Sequence, residues 1–256
     1  MSSAKGCDGC RNADANNFAT PFTMAFQPIV DVEAGTIWGY ESLVRGIAGE
    51  SAFQVLSQLT PENRYAFDQA CRVKAIELAG ARLADPTARL SINFLPNAVY
   101  EPKACIRATL SAASKARFDT SRLMFEFTEN EQMEDVSHVR HIVAEYKRMG
   151  FTTALDDFGA GYAGLALLAH FQPDLIKIDM ELVRGIASSP AKQAIVAGIA
   201  GIARQLGITL LGEGVETEAE LLMLRSAGIK MIQGYYFARP MIETFQTMAE
   251  ITRKAA

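Results

Sequence analysis

The feature that most constrains the fold is a regular alternation of short apolar segments with longer amphipathic ones. The short segments have the length and residue types of buried strands, and most of the intervening segments have the length of a helix. The predicted strands are Thr23–Val30, Ile37–Val44, Arg89–Asn93, Leu123–Thr128, Thr152–Asp156, Leu175–Asp179, Ile208–Gly212 and Lys230–Gly234. Eight strands close a barrel with a filled interior, so we predict an α/β fold of the TIM-like (β/α)8 type. An open doubly wound sheet is the competing fold.

The first two strands are separated only by Asp31–Thr36, a segment short enough to make them an antiparallel hairpin. Later segments carry the capping residues, prolines and glycines that mark helix ends. Helix starts are predicted at Thr60-Pro61, near Pro102, at Asp135, at Ser189-Pro190, at the Thr217–Glu220 capping box and at Met241, where the closing helix begins. The first of these helices is predicted to end at Gly80, the one from Asp135 at Gly150, and the one from Ser189-Pro190 at Gly207.

Composition limits the class of partner. The 256 residues carry a net charge of −4, so the sequence does not predict the positive electrostatic potential that attracts the phosphate backbone of a nucleic acid. We therefore expect no long nucleic acid, although a small phosphate ligand at one site stays compatible with this charge. No apolar run reaches the roughly 18 residues that span a bilayer, and Met1–Thr20 lacks a signal-peptide core. We expect a cytoplasmic protein with a disordered polar tail at residues 1–20 and one barrel domain at 21–256.

The four cysteines give weak signals. Cys7 and Cys10 form a C-x-x-C motif in the polar tail, which is either half of a zinc site or redox pair, or an unstructured tail without such a role. No second C-x-x-C and no nearby histidine completes a four-ligand zinc set. Cys71 and Cys105 lie in helical patterns and are predicted to be core residues.

Acidic or amide side chains lie at or just after the ends of most predicted strands. They are Glu41, Asn93, Glu126, Asp156, Asp157, Asp179 and Glu213. Any one of them alone would be a solvated loop residue, but all parallel strands of a β/α barrel end at the same rim, so these side chains should converge. Several ionised carboxylates share such a basin only when cations neutralise them.

The candidate ligands are all oxygen donors, which favours Mg²⁺ or Mn²⁺ over zinc. Adjacent Asp156 and Asp157 could serve two ions, an arrangement that recurs in phosphoryl transfer. Lys177 lies on an apolar strand two residues before Asp179. It could orient or deprotonate a water, or form a structural ion pair. Arg45 offers a fork of donors to a phosphate, or is simply an exposed arginine.

Eight ordered motifs together resemble those of the EAL-domain cyclic-di-GMP phosphodiesterases. They are Phe26–Val30 (FQPIV), Glu41–Arg45 (ESLVR), Ser91–Asn93 (SIN), Phe125–Glu129 (FEFTE), Leu155–Tyr162 (LDDFGAGY), Asp174–Asp179 (DLIKID), Gly212–Thr217 (GEGVET) and Gln233–Tyr235 (QGY). The resemblance spans roughly residues 22–249. It implies hydrolysis of cyclic-di-GMP to the linear dinucleotide pGpG in bacteria, two Mg²⁺ or Mn²⁺ ions, a homodimer and an antiparallel first strand.

The resemblance also implies roles for individual residues. Glu41, Asn93, Glu126 and Asp156 match ligands of the first metal, and Asp156, Asp157 and Glu213 match those of the second. Glu213 matches the general base, Lys177 the lysine that positions the nucleophilic water, and Glu41 is counted with them as catalytic. The substrate-binding positions are matched by Arg45, Gln27, Leu43, Asp179 and Gln233. A regulatory loop that couples dimer contacts to metal occupancy is matched by Glu129, Phe158, Gly159, Gly161 and Tyr162.

The chain departs from the family pattern at positions that are not ligands. Ser42 replaces the signature alanine, Gly212 replaces an alanine, and Ala163-Gly164 stand where two serines are common, which could alter the ordering of that loop. Two other functions compete with hydrolysis. One is a catalytically silent cyclic-di-GMP receptor that acts through a protein partner, and the other is a barrel lyase or aldolase using Lys177 as a Schiff base.

Overall fold

A computed structural model describes residues 21–96, 99, 102–128, 136–161 and 164–254. The strands are β1 (Phe22–Asp31), β2 (Thr36–Gly46), β3 (Arg89–Asn93), β4 (Leu123–Thr128), β5 (Thr152–Phe158), β6 (Leu175–Ile178), β7 (Thr209–Gly212), β8 (Met231–Ile232) and β9 (Met241–Ile242). The helices are α1 (Ala52–Leu56), α2 (Arg64–Arg82), α3 (Pro102–Cys105), α4 (Arg107–Ala116), α5 (Val136–Arg148), α6 (Gly164–His170), α7 (Met180–Val183), α8 (Pro190–Leu206), α9 (Glu218–Ser226) and α10 (Met248–Lys254).

The first eight strands form a closed ring. Strands β2 to β8 pair in chain order and are parallel, and β1 closes the ring by pairing antiparallel with both β8 and β2. This closure confirms the predicted barrel with its antiparallel first strand and excludes the open doubly wound sheet. Because β1 is reversed, it begins at the same rim at which the parallel strands end, with Phe22 opposite Gly46.

The barrel interior changes character along its axis. Its middle is filled by five apolar side chains that are 0–1% exposed, namely Ile29, Met124, Ala154, Leu175 and Leu211. Side chains two residues further along a strand face the same way, so the next inward positions on β4, β5 and β6 are Glu126, Asp156 and Lys177. The larger apolar core lies outside the ring, between strands and helices. The carboxyl rim of the barrel is therefore lined by polar side chains, and the layer of side chains beneath it is apolar.

One predicted element is wrong. Met241 and Ile242 form a strand that pairs with Phe26 and Ala25, and the closing helix begins only at Met248. The cause lies in the tertiary structure. Strand β8 has only two residues and pairs with the last two residues of β1, Val30 and Asp31, so β8 leaves backbone groups unpaired along the earlier part of β1. Strand β9 satisfies them there.

Helix α2 also differs from its prediction at both ends. The backbone N–H of Thr60 donates to Asn63 Oδ1 at 2.9 Å, which makes a turn, and the helix starts at Arg64 rather than at the Thr60-Pro61 signal. Gly80 does not end the helix, which continues to Arg82. A Cβ on Gly80 would lie 2.6 Å from Ala116 Cβ, so this glycine permits close packing of α2 on α4.

Other helix signals are confirmed. Ser189 caps α8 ahead of Pro190, and Gly207 ends it with φ +70°. Thr217 and Glu220 form the predicted capping box of α9. Cys105 is buried and Cys71 is partly buried, whereas Cys7 and Cys10 lie outside the described residues. Among the helices that the structure describes, none has the length and hydropathy to cross a bilayer.

Candidate active site

The predicted carboxylates meet at the carboxyl rim because their strands end there. Glu41 comes from β2, Glu126 from β4, Asp156 from β5, and Glu213 directly follows β7. Glu126 is fully buried, and Glu41 and Asp156 are 6% and 7% exposed. Apolar neighbours along each strand fix the register that turns these side chains inward. The structure thus brings together acidic groups that are more than 170 residues apart in sequence.

Lys177 occupies the centre of this basin and is fully buried. Its Nζ lies 2.9 Å from Asp156 Oδ1 and 2.9 Å from Glu213 Oε1. The same atom lies 3.1 Å from Glu126 Oε2 and 3.4 Å from Glu41 Oε1. One ammonium therefore faces four carboxylates, and the basin keeps an excess of negative charge.

The excess charge is visible in the pKa values. Burial by itself would lower the pKa of Lys177, but the surrounding carboxylates raise that pKa well above its ordinary value. Burial, opposed by Lys177, raises the pKa of Glu126 to about 8 and that of Glu213 well above its usual range. Burial and then the charge of Asp156 raise the pKa of Asp157 to about 6. Burial, which Lys177 only partly offsets, therefore keeps protons on Glu126, Glu213 and Asp157 to a higher pH than on an ordinary carboxyl.

Two sets of carboxylate oxygens have the spacing of metal ligands. Glu41, Glu126 and Asp156 form one set, and Asp156, Asp157 and Glu213 form the other, with the oxygens of each set within 4.8 Å of one another. Asp156 belongs to both. The donors are all oxygens, and a cation would lower the raised pKa values of Glu126, Asp157 and Glu213, so the residues present fit a hard divalent cation.

Asn93 lies at the edge of the first set. Its side chain is exposed, and Nδ2 donates to Glu41 Oε1 at 3.4 Å. The adjacent Oδ1 is the atom that would ligate a metal, so the amide both orients Glu41 and offers a neutral oxygen. This placement matches its position in the sequence pattern.

Two buried serines lie close to the ligands, and their hydrogen bonds were missed at the sequence level. Ser91 Oγ donates to Glu126 Oε1 in a buried contact, and Ser42 Oγ donates to the Ser91 carbonyl at 2.9 Å. Ser91 lies two residues before Asn93 on β3, so strand alternation gives both the same face. That alternation was the available signal for Ser91. Ser42 lies at the signature position at which the family has alanine.

The substrate-binding candidates divide into two groups. Gln233 Nε2 donates to Glu41 Oε2 at 2.6 Å and to Gln27 Oε1 at 3.1 Å, so these two glutamines adjoin the carboxylate basin. Leu43 and Arg45 lie on β2 beyond Glu41 and are partly exposed, and Arg45 Nη1 donates to the Val44 carbonyl at 2.6 Å.

Asp179 has a structural task as well. One of its carboxylate oxygens caps the short helix α7 by accepting from the Glu181 N–H at 2.7 Å. Its N–H donates to the Phe158 carbonyl at 3.2 Å, which ties the end of β6 to β5.

The predicted regulatory loop begins with unusual backbone geometry. Asp157 has φ +54° and Gly159 has φ +99°. A Cβ on Gly159 would lie 2.4 Å from Leu182 Cδ1, so glycine is required there by both conformation and space. Phe158 is buried in the core and Gly161 is partly exposed. Glu129 and Tyr162, the other two residues predicted for this loop, lie outside the described residues.

Comparison with known families identifies this arrangement. A profile of the EAL domain matches residues 15–240. The chain belongs to the EAL domain family. The carboxylate basin at the barrel rim is therefore that of an EAL domain, as the ordered motifs indicated.

Two solved structures are close in fold. A standalone versatile EAL protein from Vibrio cholerae, in its c-di-GMP-bound form, has a TM-score of 0.86 and 49% identity, covering 91% of this chain and 98% of that one. A Klebsiella pneumoniae protein in complex with manganese and cyclic di-GMP has a TM-score of 0.82 and 36% identity, covering 88% and 57%.

Two curated relatives differ in the function their names give. A blue light- and temperature-regulated antirepressor of Escherichia coli is 32% identical over 88% of this chain and 56% of its own length. A cyclic di-GMP phosphodiesterase of Pseudomonas aeruginosa is 30% identical over 86% of this chain and 38% of its own length. The chain spans about half the length, or less, of these relatives.

Proposed function

We propose that this EAL domain is an active, divalent-metal-dependent phosphodiesterase that hydrolyses cyclic di-GMP to the linear dinucleotide pGpG. The observation that carries the proposal is the shared position of Asp156, which belongs to two oxygen-ligand sets and contacts Lys177 at 2.9 Å. Two adjacent metal positions beside a buried cation are what an in-line displacement at a phosphodiester needs. The phosphodiesterase relative and the structures with bound cyclic di-GMP support the choice of substrate.

In this proposal, ligand roles follow the two oxygen sets. Glu41, Asn93, Glu126 and Asp156 hold one Mg²⁺ or Mn²⁺, and Asp156, Asp157 and Glu213 hold the other. When bound, the cations neutralise the basin and stabilise negative charge on the phosphoryl oxygens.

Lys177 has the role of a donor rather than a base. Four carboxylates raise its pKa well above the ordinary value, so its ammonium keeps its protons and orients a water by hydrogen bonding. A Schiff-base mechanism needs the neutral amine as nucleophile, so the same contacts oppose the lyase or aldolase function.

Glu213 has the role of the general base. Its side chain is 16% exposed and lies beside Lys177, so it can reach a water that Lys177 holds. Burial raises its pKa in the metal-free protein, and a bound cation would lower that pKa, so the group would be ionised and able to accept a proton when metal is present.

We propose that the partly exposed Arg45 and Leu43, together with three buried residues of the rim, bind the substrate. Arg45 uses one guanidinium donor on the Val44 carbonyl, and we propose that it offers others to a phosphate. Leu43, Gln27, Gln233 and Asp179 complete the substrate contacts. The acidic basin repels a dianion until metals are bound, so metal should strengthen substrate binding.

We also propose a homodimer that forms beside the loop after β5, in which Glu129, Phe158, Gly159, Gly161 and Tyr162 couple dimer contacts to metal occupancy. Leu165, which follows this loop, is 59% exposed and gives that surface an apolar residue. Sedimentation measurements with and without Mg²⁺ would test this. A monomer at all concentrations would contradict it. A cytoplasmic location also remains a prediction.

Activity is tested by incubating the protein with cyclic di-GMP and Mg²⁺ or Mn²⁺ and separating the products. We expect pGpG with either metal, no product in EDTA, and none from Glu41→Ala or Asp156→Ala. Glu33→Ala is the matched control, because Glu33 is an exposed carboxylate paired with Lys230 away from the basin. Absence of pGpG with both metals would refute the proposal.

The second candidate function is a silent cyclic-di-GMP receptor that acts through a protein partner. The antirepressor relative favours it, because that name describes control of another protein. A silent receptor would be expected to lose a metal ligand or the lysine, and this chain keeps every one. Binding of cyclic di-GMP without turnover, in the same assay, would support the receptor instead.

A further inference from the structure

A cavity of about 400 Å³ lies at the end of the barrel opposite the carboxylate basin. It is lined by residues that begin their strands, including Arg89 of β3, Thr152 of β5 and Thr209 of β7. Arg89 lies on the same face of β3 as Ser91 and Asn93, and the five-residue strand separates its Cα from that of Asn93 by roughly 13 Å. The two ends of the barrel are therefore separate sites.

Arg89 is the unusual group in this cavity. Its guanidinium lies over the ring of Trp38, with Cζ 4.8 Å from the ring centroid. Its Nε is buried and donates no hydrogen bond, and within the described parts of the chain no ion pair joins Arg89 to a carboxylate. Nε is enclosed and no ligand can reach it, whereas the two terminal nitrogens of Arg89 have no acceptor among the described residues and are the donors that a ligand in the cavity can meet.

The nearest acidic lining residue is already engaged. Asp174 pairs with Lys147 at 2.8 Å and accepts two hydrogen bonds from Thr153, through the backbone N–H and the hydroxyl. The positive charge of Arg89 is therefore not balanced by the one carboxylate of the cavity. Thr152 and Thr209 add hydroxyl-bearing side chains to the lining.

We propose that this amino-terminal mouth of the barrel is a second binding site, selective for a small oxyanion that accepts from the guanidinium of Arg89. The ligand carries a phosphate or a carboxylate group, because these groups match the planar fork of an arginine. The cavity is large enough for a small metabolite. The site is independent of the proposed hydrolysis.

The chain contains its own reporter for this site, since Trp38 is the only tryptophan in the sequence. The experiment titrates inorganic phosphate, and separately acetate, into the Mg²⁺-loaded protein at constant ionic strength while tryptophan emission is recorded. We expect a saturable change. Saturation with phosphate alone assigns a phosphate-bearing ligand, and comparable saturation with acetate assigns a carboxylate-bearing one.

Variants decide whether Arg89 is responsible. Arg89→Gln should abolish the saturable change, and Arg89→Lys should weaken half-saturation about tenfold because the charge remains and the fork is lost. Arg184→Gln is the control, because Arg184 is an exposed arginine paired with Glu216, and it should titrate like the wild type. If Arg89→Gln does not fold, Arg89→Lys decides alone. An unsaturable response, or the same response in the Arg89 variants, overturns the proposal.

Discussion

Lys177 Nζ lies 2.9 Å from Asp156 Oδ1, so the buried cation directly contacts the carboxylate shared by both candidate metal positions. Lys177 and bound metal ions would therefore compete for the same carboxylate oxygens. When both are present, each would contact only some of these oxygens. This competition gives the basin properties that can be measured separately from turnover.

Replacing Lys177 with methionine should reduce kcat by about 10² to 10⁴, because a charged donor to the water is lost. Metal affinity should be retained or increased, because no ammonium then competes for the carboxylates. Steady-state kinetics and calorimetric titration of Mn²⁺ measure the two effects. Lys230→Met, at an exposed ion pair with Glu33, is the control. Loss of metal binding in Lys177→Met would instead indicate a structural role.

Metal stoichiometry should follow the two oxygen sets. Asp157→Asn removes a ligand from one set only and should leave about one tightly bound Mn²⁺ per chain, whereas Asp156→Asn affects both and should leave none. Equilibrium dialysis with metal analysis measures this. Equal losses in the two variants would show that the sets do not act as separate sites.

Metal-free protein should become less stable as the pH rises from about 5 to 8. The pKa of Glu126 is raised to about 8, and that of Glu213 is also raised, so the folded state keeps protons that unfolded carboxyls release near pH 4.3. Stability is therefore present at low pH and lost through this window, by on the order of a few kcal/mol. Thermal unfolding in EDTA across the range measures it.

Two changes should reduce this dependence of stability on pH. Excess Mg²⁺ should raise the Tm most at high pH, and Glu126→Gln, which cannot ionise, should flatten the metal-free profile. A Tm that rises with pH in EDTA would contradict the charge balance described for the basin.

Ser91→Ala should weaken metal affinity about 10- to 100-fold, because Glu126 loses the hydroxyl that orients it. Unfolding should also become easier by about 1–3 kcal/mol. Ser42→Ala is a close control: its hydroxyl is equally buried but donates to a backbone carbonyl, so stability should fall while metal affinity stays constant. Similar metal affinities in the two variants would refute the role of Ser91.

Gly80→Ala should destabilise the barrel by about 1–3 kcal/mol, because the new Cβ would lie 2.6 Å from Ala116 Cβ and force α2 and α4 apart. Gly198→Ala, on α8 with no atom near its Cβ, should stabilise by about 0.5–1 kcal/mol through helix propensity. Chemical denaturation measures both. A destabilised Gly198→Ala variant would show that this face of α8 is not open.

Strand order and the positions of the carboxylates were predictable, because each depends on a local rule. Parallel strands end at one rim, so acidic residues after apolar segments had to converge whatever the helix packing. Strand β9 was not predictable, because Met241 pairs with β1 only where the short β8 leaves backbone groups open. Gly80 resembled a glycine that ends a helix. The contact that requires a small residue there is with Ala116 of α4, 36 residues later in the sequence.

Within the candidate site, the convergence of the carboxylates could be predicted from the sequence, whereas the hydrogen bonds that hold them could not. Asn93 and Glu126 follow a motif, whereas the hydrogen bond from Ser91 to Glu126 depends on the register between β3 and β4. The Arg89–Trp38 stack likewise joins two strands that are paired only in the folded barrel.

The reversed direction of β1 decides where a preceding segment joins the barrel. Phe22 pairs with Gly46 one residue beyond Arg45, so a polypeptide fused ahead of Pro21 is delivered to the mouth that holds the carboxylates. In an ordinary parallel barrel the same fusion would arrive at the far end. A light-, redox- or ligand-responsive module joined directly ahead of Pro21 would therefore lie near the carboxylates over a short linker, which makes the start of β1 the place to engineer an input.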